Sequence, residues 1–255
     1  MSLRRLTTQN ETFLLVTTTR EPFQPVRLYY EVPSQSFATK RLSRLACVVE
    51  DRADRCWQWQ YKAEAQPLKF FAGYDAVPPE VQPIVLGRLR FPKAGGMTIE
   101  LNSFSRAIEA ARFFGPVLGP RTVLRRGRVV NRCFAASDGH PDELMRELDR
   151  NVTMIDPSVS ERELEEDLKG VTSQSELERV AQARMQKRLE SKEDVPLVED
   201  FPLAPEEETP KFDHLAMTLQ LRMVRAMEHW RGQPRTLTEI IVDLVNKGQL
   251  GGAAR

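Results

Sequence analysis

Histidine and cysteine are scarce in this chain, with three of each among 255 residues. His140, His214 and His229 stand at no metal-ligand spacing from Cys47, Cys56 or Cys133, so no metal site is expected. An odd number of widely spaced cysteines argues against a disulfide framework and for a reducing cytoplasm. No apolar run approaches the roughly 18 residues of a membrane helix, and no membrane partner is expected. The opening MSLRRLTTQN has two arginines but no hydrophobic stretch behind them, so no secretory signal is expected either. Phosphate-loop, dinucleotide, zinc-protease and nucleophile-elbow sequences are missing, and Gly95-Gly96 alone is too little for a phosphate loop. No cofactor follows from such a sequence.

What the chain does have is charge, unevenly spread. The totals of 37 Lys+Arg and 36 Asp+Glu leave a net charge of +1. Residues 1–135 hold 21 basic against 11 acidic side chains, a balance of +10. Residues 136–210 reverse this with 9 against 21, or −12, and residues 211–255 return to +3. A basic block is thus followed by an acidic one.

The structural pattern changes at the same border. Short runs rich in β-branched and aromatic residues predict strands over 13–18, 26–32, 55–62, 84–91 and 97–101. The turn 92–96 has hairpin chemistry, because its glycines accept positive φ. Period-two alternation puts Trp57, Trp59 and Tyr61 on a core face and leaves Gln58 and Gln60 as the exposed pair. A helix is predicted over 103–114, stopped by Gly115-Pro116 and Gly119-Pro120. The span 122–135 reads as strand, with a possible hairpin turn at Arg126-Gly127, and 40–50 reads as helix in its first half.

Beyond residue 135 the pattern is helical. Pro141 opens a helix to about residue 150, and charged helices are predicted over 159–169 and 174–192. Ser-x-x-Glu sequences at Ser158 and Ser173 mark their starts. Residues 194–211 carry four prolines and predict an extended acidic tether. Phe212, Leu215, Leu219, Met223, Ala226 and Trp230 then recur at helical spacing. After the RGQPR turn, a second apolar face follows to Gly248. The expected architecture is α+β: a basic, mainly antiparallel sheet domain with one long helix (1–135), an acidic helical segment (136–193), the tether (194–211) and a C-terminal helical hairpin (212–248).

Two functions fit. Arg88, Arg90, Lys93, Arg121, Arg125, Arg126, Arg128 and Arg132 could gather on one sheet surface and hold phosphates, because each guanidinium is a planar fork of donors. The chain is then a non-catalytic, cytoplasmic RNA- or DNA-binding or regulatory protein. Alternatively Leu197, Phe201, Leu219, Met223 and Trp230 dock a protein partner or a second copy, and the chain is an interaction adaptor or assembly factor. Glu31, Glu50, Asp51 and Glu100 are available for acid–base chemistry, but nothing in the pattern singles out a pair. No catalytic residue is assigned. Cys133, between Arg132 and Phe134, is read as a packed thiol.

Overall fold

Apolar alternation over short runs builds the sheet, and each strand's core face then selects the helix that covers it. The computed structural model describes residues 12–191, 194–203 and 211–247; the opening MSLRRLTTQN, the second half of the tether and the tail beyond 247 lie outside them. In chain order come β1 (Val26–Glu31), α1 (Gln35–Leu42), β2 (Val48–Asp51), β3 (Cys56–Gln60), β4 (Val85–Arg90), β5 (Met97–Leu101), α2 (Phe104–Leu118) and β6 (Val123–Val130). Then follow α3 (Pro141–Leu144) with a 3-10 turn at Met145–Asp149, β7 (Thr153–Met154), α4 (Pro157–Asp167), α5 (Gln174–Ser191), β8 (Val198–Pro202), α6 (Lys211–Trp230) and α7 (Leu237–Asn246). The eight strands form one sheet in the order β2-β3-β4-β5-β1-β6-β8-β7. All pairs are antiparallel except β7 with β8.

One sheet face is apolar. Val26 and Leu28 of β1, Ile99 and Leu101 of β5, and Trp59 of β3 are fully buried against Phe104, Ala107, Phe114 and Leu118 of α2 and against Leu215 and Leu219 of α6. A smaller second core joins Phe23, Val130, Phe134 and Val198 to Leu144 and Leu148. It pins the 141–149 segment over the opposite, polar face.

Several expectations are corrected. Residues 122–135 make no hairpin: β6 runs straight through Arg126-Gly127. Gly127 is there for closeness, since a Cβ would lie 2.7 Å from Cζ of Phe201. The helix of residue 103 onward does not stop at Gly115-Pro116 but reaches Leu118, where Gly119 at φ 77 ends it. Gly115 has no Cβ to collide with the proline ring, and burial of Phe114 and Leu118 outweighs one missing backbone bond. Residues 13–18 form only isolated bridges, Leu14 to Ala135 and Val16 to Pro22. Their continuation turns back at Arg20 (φ 69), because Thr17 and Thr19 donate their hydroxyls to the buried Glu21 carboxylate. Gln60 is buried rather than exposed, since a bulge at Trp59/Gln60 shifts its register.

The largest correction concerns the tether. Residues 198–202 are a strand of the sheet, inserted between β6 and β7. Glu199 and Asp200 are each 1% exposed and point to opposite faces. Glu199 accepts from Arg222 of α6, and Asp200 accepts from Arg126 at 2.5 Å and Arg128 at 2.7 Å. Asp194, just before the strand, binds Arg225 of α6. A buried carboxylate is tolerated only when its charge is met. Asp200→Ala should therefore lower unfolding free energy by on the order of 3 kcal/mol, the cost of leaving partly buried guanidinium groups without their partner. Urea unfolding checks this, and a change below about 0.5 kcal/mol, the scale of ordinary surface substitutions, would show that the pairing does not hold the strand.

Candidate functional site

The polar face of the sheet is laid out by strand register. Gln58, Arg88, Glu100, Arg27, Arg128 and Asp200 sit opposite one another on successive strands from β3 to β8. A second row holds Arg90, Thr98, Tyr29 and Arg126. Four predicted arginines, 88, 90, 126 and 128, thus do share one face. They are joined by Arg27, which the sequence reading missed although it alternates with the apolar Val26 and Leu28 in β1.

That face is already largely neutralised. Arg27 donates to Glu100 at 2.8 Å and to both oxygens of Asp149 at 2.7 and 3.0 Å. Arg27 and Arg128 are directly opposed like charges, a destabilising pairing in itself; Asp149 relieves it by also accepting from Arg128 at 3.3 Å. Arg126 lies with its guanidinium 3.8 Å above the Tyr29 ring, a cation–π contact. The hydrogen bonds from Arg27 hold the Asp149 carboxyl below the ordinary carboxylate range, against its partial burial.

The other predicted cations do not join the array. Arg125 falls at a register shift and binds Glu31 at 2.7 Å. Lys93 sits in the β4–β5 turn, and Lys93 and Arg121 have no ion-pair partner among the described residues. Arg132 lies beyond β6 over the ring of Phe134. A single open guanidinium face is therefore not formed.

Beneath the 141–149 segment the polar face holds a cavity of about 500 Å³. Arg27, Arg88, Arg90 and Glu100 come from the sheet side, and Asp142, Arg146 and Asp149 from the roof. Asp142 accepts from Arg88 at 3.3 Å and is mostly exposed. Arg90 binds the backbone carbonyl of Asp54 at 2.8 Å.

A second concavity, about 510 Å³, is apolar. Leu14, Val16 and Phe71 form one wall, and Met223, Val224 and Met227 of α6 the other, with Arg20 and Arg231 at the rim. Phe71 is 68% exposed. Of the predicted partner residues, only Met223 lies here. Phe201 and Leu219 belong to the core, a correction that follows from β8 and α6 packing on the sheet. Leu197 and Trp230 line a separate cleft of about 460 Å³ with Arg132.

Among the described residues the three cysteines are buried and free, and one group of side chains comes within metal-ligand reach. Burial pushes the Cys47 thiol up to about 12 and that of Cys133 up to about 11, so both are neutral thiols at pH 7. Asp51, Asp54 and Cys56 bring ligand atoms within 4.8 Å of one another. Asp51, however, is engaged in closing the β2–β3 turn, accepting from the amides of Ala53 and Asp54 and from Gln58. Among the described residues no helix is long and apolar enough to cross a membrane. No family model, curated protein or solved structure matches the chain, so function has to be argued from the site itself.

The depressed Asp149 carboxyl stabilises the fold above its unfolded value of about 3.9, and that contribution is lost as pH falls through its lower folded value. Asp149→Asn should therefore melt below the wild type at pH 6, with the gap closing as pH drops from about 4 towards 2. A gap in melting temperature that persists at pH 2 would contradict the assignment.

Proposed function

We propose that this chain is a non-catalytic protein-interaction factor that engages a partner through the apolar groove between α6 and the 14–22 segment. The observation that carries this is the groove's composition: exposed Phe71 and Val16 opposite two methionines. Exposed apolar surface gathered into one concavity marks interaction sites, and methionine adapts its shape to a partner at little conformational cost. The lining also carries Arg20, Arg231 and Glu228, and because Glu228 is already paired with Arg235, the two arginines favour a partner segment with carboxylates beside its apolar residues.

Binding of RNA or DNA draws less support. A polyanion needs several free cations along its path to release counterions, whereas Arg27, Arg126 and Arg128 are held by Glu100, Asp149 and Asp200. The acidic half of the chain thus meets much of the charge that the basic half carries.

A photo-crosslinking residue at Val224, in the living cell, tests the interaction. One predominant adduct is expected, its mass identifying a partner or a second copy, and Phe71→Glu should suppress it roughly tenfold, the scale of losing one buried aromatic anchor. No adduct, or an adduct indifferent to Phe71→Glu in a variant that still melts cooperatively, would reject the proposal.

A further inference from the structure

We infer that the cavity under the 141–149 segment is a binding site for a small phosphate monoester, distinct from the apolar groove. The lining has formal charges of both signs, so the inference rests on which hydrogen-bonding capacity is left over. Of the four lining carboxylates, Asp54 is exposed at the edge and solvated, Asp142 is met by Arg88, and the two that lie deepest between the arginines are engaged. Glu100 accepts from Arg27 and lies 3.5 Å from Arg90, and Asp149 accepts from Arg27 and Arg128. The donors are not spent. Arg88 makes one bond, at 3.3 Å, to a carboxylate that is mostly in water, and its buried Nε has no acceptor. Arg90 uses Nη1 on a backbone carbonyl, and its Nη2 has no hydrogen-bond partner among the described residues. Arg146 at the rim has no ion-pair partner among the described residues.

A ligand that completes this cavity must supply acceptors. Arg88 and Arg90 are two residues apart on one strand face, about 7 Å between Cα atoms, and Arg146 approaches from the roof. Three separate guanidinium groups suit a tetrahedral dianion with three terminal oxygens better than a carboxylate, which one arginine fork satisfies. The volume exceeds that of bare phosphate and lies in the range of small-molecule pockets, which leaves room for an organic moiety beside Asn102 and Met145. Leu144 and Leu148, buried in the second core, hold the roof in place, so the cavity is preformed. Asp142 occupies Arg88 in the free protein and is the group the phosphate displaces.

The arginine Nε–H signals of the full-length protein, followed by NMR during titration, test this. Inorganic phosphate and glycerol phosphate are expected to shift Arg88 and Arg90 saturably, while acetate at equal ionic strength does not. Arg88→Gln should weaken the phosphate effect roughly tenfold or more, the scale of a lost charge-assisted hydrogen bond. Asp142→Asn should strengthen it, an outcome that no loss of folding can imitate. Shifts that grow linearly without saturation, that appear equally with acetate, or that are unchanged in both variants would overturn the site. So would a single-stranded oligonucleotide that binds more tightly than glycerol phosphate with a salt dependence of several charges, because a polyanion surface would then be the ligand's true seat. The apolar groove is untouched by these variants, so the two proposals fail separately.

Discussion

Two adjacent carboxylates in the middle of a buried strand constrain the whole C-terminal third of this protein. Glu199 and Asp200 point to opposite faces of the sheet and are both excluded from water. Leaving either unpaired would cost several kcal/mol, so the strand is stable only where a cation waits on each side. Arg222 of α6 supplies one, and Arg126 with Arg128 of β6 supplies the other. That double requirement selects the position beside β6 and the orientation of α6 on the apolar face together. Phe201 completes the fit by resting on Gly127, the one residue of β6 without a Cβ to obstruct it.

The same pairing explains the charge asymmetry of the chain. A balance of +10 in one stretch and −12 in the next is unfavourable for each stretch alone, through self-repulsion. Folding brings Asp142, Asp149 and Asp200 over the arginines of β1, β4 and β6. What remains is a face on which most arginines are paired, while Arg88 keeps a buried Nε–H without an acceptor.

The elements whose register follows from local pattern were legible: strands 26–31, 56–60, 85–90 and 97–101, the helix from Phe104 and the C-terminal hairpin all lie where periodicity puts them. The shared face of Arg88, Arg90, Arg126 and Arg128 was legible too, from alternation. What was hidden depends on partners distant in sequence. The density of prolines and acids over 194–211 looks like solvated tether because the sequence alone does not reveal that Arg222 will be waiting for Glu199 and Arg126 for Asp200. Arg126-Gly127 looks like a turn because glycine's two uses, positive φ and close approach, carry the same letter. Arg27 was overlooked for having no basic neighbour, although its geometry makes it the hub of the polar face.

The apolar stripe of α6 shows how far a periodic signal can be taken. Leu215 and Leu219 face the sheet and α2 and are buried, as the spacing requires, and Ala226 is buried further along the helix near Cys133. Met217 and Val224 lie outside that arc and remain in water, and Met223 and Met227 sit at its edge. The arc is wider than the surface α2 and the sheet can cover, because the 14–22 segment is held off at one side. Thr17, Thr19 and Arg106 are committed to Glu21, with Arg106 Nη2 bonded to Thr19 at 2.8 Å, and that buried network holds the segment apart from the helix. A groove therefore stays open between two rigid walls. One wall is held by the buried Glu21 network and the other by the apolar packing of Leu215 and Leu219 together with the Arg222–Glu199 and Arg225–Asp194 pairs.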